Sequence, residues 1–438
     1  MSVNKERAWE TLTKLSFERV TGTPAELEAA NYLKSECEKA GVEAHFETYE
    51  IDMPEIHQAF LAVTKPEYKE YPVIGIGKSG NTPDEGITAP FVYVENALDA
   101  NLADVKGKIC LVTGRMMPDA SKKLADKGAL GYIAIHGGFY EDPTLKNELR
   151  PRNTRGAKDI NLPGVVLHIK DAEELVRSHP EEVKIILKQD GDKKGESRNV
   201  VATIEGTDLK DEIVAFSAHY DSVPYSPGAW DNGTGSITIL ELMHHYAENK
   251  PRRTVKFIWC GSEEIGLVGS REYCKAHKDE LKDYIFNINF DMTGVTLGYE
   301  HFCCSASEEV LHAVDYLAKL EGYALSSKLD LYASDSTSFA NAGVPSGTFA
   351  RLQCPGGAEI HNHHDTMEHL DPDSFMITLN FVVKFSEQVI NAPTNIIPRK
   401  FAPELQKKME ERKKMFGLGE EKKEDKKEEP KKEEAKAN

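Results

Sequence analysis

Apolar residues along this chain recur with two different periods, and the changes of period mark out its elements. Ala29, Tyr32, Leu33 and Cys37 fall on one helical face, opened by the capping box Thr23 to Glu26 with Pro24 at the first helical position and closed by Gly41. A helix over this stretch and a strand from Val42 to Tyr49 are the expectation. From about Glu50 to Ser197 the apolar runs become short and are punctuated by glycine and proline. Val105 to Val112 and Ala129 to His136 read as strands there, with a short helix over Ala120 to Lys127 between them. Beyond this region Asn199 to Ile204, Ile213 to Ala218, Val255 to Cys260 and Ile285 to Phe290 read as buried strands. Ile237, Leu240, Met243 and Ala247 form one face of a helix beginning near Gly235, and further helices are expected at Ser307 to Leu320 and Asp373 to Asn391. Strand and helix alternating at this spacing argue an α/β fold, a mixed β-sheet sandwiched between helices, interrupted by a β-rich insertion. The domains are therefore read as a discontinuous body over 1–49 and 197–398, an insertion over 50–196, and a charged tail over 399–438. From Glu420 the tail holds eight acidic and seven basic residues with almost nothing apolar, so it is expected not to fold.

A chain of 438 residues exceeds one ordinary hydrophobic core, which agrees with two domains plus an appendage. Its net charge of -18 argues against nucleic acid or an anionic membrane as partner, since neither polyanion gains from an acidic surface. The seven cysteines are scattered and form no C-x-x-C pair, the pattern of reduced core thiols. The N-terminal MSVNKERAWETL has no apolar core of a signal peptide, and no later window is apolar enough to span a membrane. The expectation is a soluble, cytoplasmic protein. GIGKSG, Gly75 to Gly80, matches a dinucleotide-binding spacing but runs into Asn81, Thr82 and Pro83 where a helix should open, so it reads as a surface turn. His244 and His245 are adjacent on the helix after Gly235, do not face a common point, and read as surface or rim histidines.

Chemistry concentrates between Ile213 and Gly294, with one more cluster far downstream. His219 and Asp221, in AHYDS at a strand end, point to the same face, so the imidazole can bind a metal while the carboxylate orients it. Asp231, in the glycine-rich GAWDNGTG, can bridge two cations with its two oxygens. Glu263 and Glu264 follow a strand and diverge, which lets one ligate metal while the other acts as base. Asp291 ends the strand Ile285 to Phe290, at a carboxyl end where open α/β sheets place their sites. Downstream, AEIHNHHDTMEHLDP offers His361, His363 and His364. Five acid or histidine sites in this order point to a two-metal hydrolytic centre. No G-x-S-x-G elbow accompanies any strand-to-helix junction, which sets a serine hydrolase aside.

These ordered strings resemble the two-zinc aminopeptidase family that also includes glutamate carboxypeptidases and glutaminyl cyclases, over Leu12 to Asn391. The resemblance implies the zinc-peptidase fold. It also implies His219, Asp231 and Asp291 around one zinc and Asp231, Glu264 and His361 around the other, with manganese or cobalt as substitutes. His361 matches the family's H-T-x-x-D-T histidine, although Asn362 replaces the threonine. Asp221 becomes the orienting residue and Glu263 the general base, taking a proton from a water activated between the two ions. A non-proline cis peptide between Asp231 and Asn232 is implied as well. Within the insertion, the strand around Ile109 and the segment Gly128 to Gly131 resemble a protease-associated domain, expected to shape or cover the substrate cleft. Peptides are the implied substrates, with cleavage at the N-terminus favoured. A carboxypeptidase or dipeptidase, with Arg351 as a carboxylate clamp, is the alternative, followed by a one-metal glutaminyl cyclase or an inactive binding protein.

Overall fold

A computed structural model of the protein describes residues 3–113, 118–139, 142–154 and 160–415. The reading of the tail beyond Glu420 lies outside the described residues, but the expectation of disorder from 399 is corrected for its first part: Pro403–Met415 is a helix whose Leu405 and Met409 pack with Leu331 and Ala340. Two sheets carry the chain. The first has eight strands in the order Ala44–Asp52, Lys194–Ile204, Arg253–Cys260, Leu209–His219, Tyr284–Phe290, Ser346–Gln353, Gly298–Ser305 and Leu325–Leu329. The middle four run parallel, which brings His219 level with Cys260, and Ser217 level with Asn289. The carboxyl ends of neighbouring strands thus open on one edge, the place where open α/β sheets form crevices.

Alternation along these strands sends successive side chains to opposite faces. Val214, Phe216, Phe257 and Trp259 join one core with the helices Lys5–Leu15, Pro24–Lys39, Thr234–Glu248, Glu308–Leu320 and Pro372–Ile390. Ile213, Ala215, Ile258 and Cys260 join another, against Tyr273 and Cys274 of Val268–Ala276 and Phe339 of Ser336–Asn341. This is an α/β sandwich. Thr23 caps Pro24–Lys39 by accepting the Glu26 amide, and Glu26 reaches back to the Gly22 amide at 2.8 Å. The box is closed one residue earlier than its usual geometry.

The second sheet has nine strands, drawn from Glu55–Lys65 to Glu182–Asp190, and has separate cores built around Tyr132 and Leu124 on one side and Val165 and Leu175 on the other. The chain enters it from Ala44–Asp52 and returns through Lys194–Ile204, two antiparallel neighbours in which Asp52 faces Lys194.

Several sequence expectations are corrected here. The first half of GIGKSG, Gly75 to Gly77, ends the strand Val73–Gly77, and the turn after it is no surface turn: Ser79 is 1% exposed, and its hydroxyl donates to Ile76 O at 2.7 Å and accepts from the Gly164 amide at 3.1 Å. His245 belongs to the interior, because helix Thr234–Glu248 is covered by Pro372–Ile390, whose Glu387 meets its Nε2 at 2.9 Å. Six cysteines are buried and all seven are free, but Cys354 is exposed on the loop after Ser346–Gln353. Among the described residues no helix is long and apolar enough to cross a membrane.

Candidate metal centre

His219 closes its strand with a fully recessed ring, and its carbonyl accepts the Ser236 hydroxyl at 2.8 Å. Its Nδ1 lies 3.2 Å from the Asp221 carbonyl, which can only accept, so Nδ1 carries a proton and Nε2 is the nitrogen turned to the carboxylates. Nε2 faces Asp231 Oδ1 at 3.2 Å and Asp291 Oδ1 at 3.7 Å. The orienting contact to His219 therefore comes first from the main chain of Asp221, with its carboxylate at 3.6 Å. That carboxylate accepts the amides of Glu263 at 3.0 Å and Glu264 at 3.2 Å and the Thr21 hydroxyl at 2.9 Å, so it locks the two-glutamate turn against the neighbouring strand end.

Asp231 sits in a turn whose form depends on Gly228. A Cβ at Gly228, where φ is 59°, would lie 2.7 Å from Asp231 O and 2.8 Å from Ser222 Cβ. The buried guanidinium of Arg19 donates to the carbonyls of Leu15, Phe17, Tyr220, Pro227 and Gly228, stitching this turn to the N-terminal segment. Asn232 donates to Phe290 O at 2.8 Å and accepts from Gly235 and Met292, and the Asp231–Asn232 peptide bond is cis. The buried carboxylate of Asp365 accepts the amides of Trp230 and Asp231.

These supports leave the two oxygens of Asp231 facing opposite ways. Oδ1 points to His219, and Oδ2 lies 3.0 Å from His361 Nε2, which in turn is 3.1 Å from Glu264 Oε1. Two triplets result, His219 with Asp231 and Asp291, and Asp231 with Glu264 and His361, each with its donor atoms within 4.8 Å of one another. Asp291 Oδ1 is buried without a hydrogen-bond partner, aimed at the first triplet. Glu263 belongs to neither triplet, but its charge acts on His219.

Burial pushes the carboxyls of Glu263, Glu264 and Asp291 above their ordinary range; repulsion from Glu264, Asp335 and Asp291 adds to it at Glu263, and repulsion from Asp231 adds to it at Glu264 and Asp291. Burial also raises Asp335 to about 6 and Asp365 to about 7. His361 is driven up to about 10: burial opposes its charge, but Asp231 and Glu264 outweigh that. Acids crowded out of water around two imidazoles are poorly compensated by protons and well compensated by divalent cations. The nitrogen and oxygen donors, including the orphaned Asp291 oxygen, fit zinc.

The other sequence candidates are engaged elsewhere. His363 and His364 belong to neither triplet; they meet Glu148 and Asp142 of the insertion. Arg351 is no clamp: it is paired with buried Glu300 at 2.8 Å and donates to Val295 O. Sequence reasoning missed Asp335, whose two oxygens are buried without hydrogen-bond partners and whose charge acts on Glu263. It also gave no role to Asp365, for which the D-T of the downstream motif was the available signal.

Residues 199–386 match the family model described as Peptidase family M28. The chain is 27% identical to the aminopeptidase YwaD of Bacillus subtilis over 84% of this chain and 81% of that one. It is 23% identical to human carboxypeptidase Q, covering 85% and 83%. A solved zinc aminopeptidase from Bacillus subtilis superposes with a TM-score of 0.75 at 25% identity, covering 91% of this chain and 98% of that one.

Proposed function

From the premise that the chain belongs to Peptidase family M28 and is a zinc metallopeptidase, we propose that it releases residues from the N-terminus of peptides at a two-zinc centre. One ion would be held by His219, Asp231 and Asp291 and the other by Asp231, Glu264 and His361. The observation that carries this reading is the divided aim of Asp231, one oxygen to each triplet. Bound zinc supplies Lewis acidity, polarising a carbonyl and lowering the pKa of a water.

The residues of the chain do the rest. Glu263, near enough to His219 for their charges to act on one another and with a carboxyl raised by burial, accepts the proton of the attacking water and returns it to the departing amine. The peptide C–N bond breaks as the water oxygen joins the carbonyl carbon. Asp221 fixes the backbone of Glu263 and Glu264, so the base and the ligand are positioned by one carboxylate. The surplus of carboxylates offers partners to a substrate's α-ammonium group. A carboxypeptidase would need a free cation for the terminal carboxylate, and the engagement of Arg351 with Glu300 weighs against that alternative.

The inserted sheet is proposed to be a protease-associated unit, supported by its parallel strands Ile109–Val112 and Gly131–His136 flanking the helix Pro118–Asp126. Seven unpaired cysteines support a reducing compartment such as the cytoplasm.

The test is zinc stoichiometry together with chelator-sensitive cleavage of an aminoacyl chromogen, beside an N-blocked peptide. Two zinc ions and cleavage of the free-amine substrate are expected. Cleavage of the N-blocked peptide alone would overturn the aminopeptidase reading.

A further inference from the structure

His361 is carried by the stretch 354–366, which holds only turns and bends and takes a φ of 68° at His361 itself. Such a stretch pays conformational entropy to present a ligand, unless something else orders it first. Its inner end is tied down by Asp365. Its outer side is held by the insertion: the Glu148 carboxylate accepts the His363 ring Nδ1–H and, at 3.4 Å, the His363 amide. Asp142 lies 3.7 Å from His364 Nε2, and the two imidazoles rest 4.1 Å apart between ring centroids.

The two acids are themselves fixed. Asp142 caps the 3-10 turn Pro143–Asn147, accepting the Thr144 amide at 2.8 Å and its hydroxyl at 2.7 Å. Leu145 and Leu149 are buried on either side of Glu148, and Lys146 is pinned by the buried carboxylate of Asp171 at 2.6 Å. Glu148 is thus presented by a braced segment rather than by a free surface arm.

We propose that the insertion is a working part of the metal centre: Glu148, seconded by Asp142, is a positioning residue that clasps His363 and so holds His361 in place for the ion it shares with Asp231 and Glu264. This rests on the two-zinc reading above. Groups that orient a metal ligand from outside the coordination sphere are typically worth about 10- to 100-fold in metal affinity.

The test uses the full chain, with zinc affinity read by chelator competition for the wild type, Glu148→Gln, His363→Ala and the double variant. The expected result is a loss of about tenfold or more at one of two zinc ions in each single variant, the other ion unchanged. The double variant should lose no more than the worse single one, because both remove the same contact. The melting temperature of the zinc-free protein should not move, which a merely structural contact would not allow. Wild-type affinity for both ions in Glu148→Gln, or losses that add in the double variant, would overturn the proposal alone. Fewer than two ions in the wild type would overturn the two-zinc reading and this inference with it.

Discussion

Asp365 accepts the amide of Asp231 at 3.2 Å while its other oxygen takes the Trp230 amide at 2.7 Å. One carboxylate thereby joins the stretch bearing His361 to the residue that both triplets share. Asp365→Asn replaces one acceptor by a donor facing an amide. It should weaken zinc binding by about 10- to 100-fold and lower stability by about 1 to 3 kcal/mol for the unsatisfied amide. Chelator competition and urea unfolding of the same variant measure the two effects, and unchanged zinc affinity would count against the tie.

Glu263 belongs to neither triplet, so its loss should separate chemistry from metal content. Glu263→Gln is expected to keep wild-type zinc and KM and to lose about 10² to 10⁴ in kcat. A variant that turns over at the wild-type rate removes Glu263 from the mechanism.

Removal of zinc leaves the acids of the centre facing one another without compensation. The chelated protein should remain folded, held by its hydrophobic cores, but should melt lower. Restoring zinc to a hundredfold excess over Kd should recover about 2.7 kcal/mol. Calorimetry with and without chelator checks this, and coincident melting curves would speak against a metal at the triplets.

His277, at the end of the helix Val268–Ala276, meets Glu47 of the first strand at 2.9 Å, and this hydrogen bond raises its pKa above 6.5 against the pull of burial. A histidine with a raised folded-state pKa binds more protons in the native state, so its contribution is complete below pH 6.5 and is lost as the pH climbs through the raised value. Glu47→Gln should therefore cost stability at pH 6, by less than about 1 kcal/mol for a partly exposed pair, and cost nothing at pH 9. Equal losses at the two pH values would refute the assignment.

The fold was legible where the argument needed only neighbours in sequence. Val214 and Phe216 against Ile213 and Ala215 show the alternation of a sheet packed on both faces, and the acids and histidine of the centre stand at the ends of such runs. The interior place of His245 was not legible, because it depends on Glu387, 142 residues away. The same holds for Arg19, whose carbonyl partners at Pro227 and Gly228 lie 208 and 209 positions on. The spacing to Asp365 and Thr366 already favours His361 over His363 and His364 in the sequence, and the structure sets it in a triplet. What the sequence does not show is that Glu148 and Asp142 claim the other two from the inserted unit, 215 residues from His363 in the case of Glu148. Asp335 carries no local mark at all, since an aspartate among serines is the composition of any exposed turn.

The chain leaves the first sheet at Asp52 and resumes it at Lys194, two residues that face each other across one ladder. The whole second sheet is therefore spliced in where a hairpin tip would otherwise stand, and a tight turn could close the catalytic body in its place. A protein trimmed in this way would keep its strand pairing and every residue of both triplets, yet His363 and His364 would lose the acids they now meet, and His361 the brace those contacts give it. Modularity in the backbone thus coexists with dependence in the side chains.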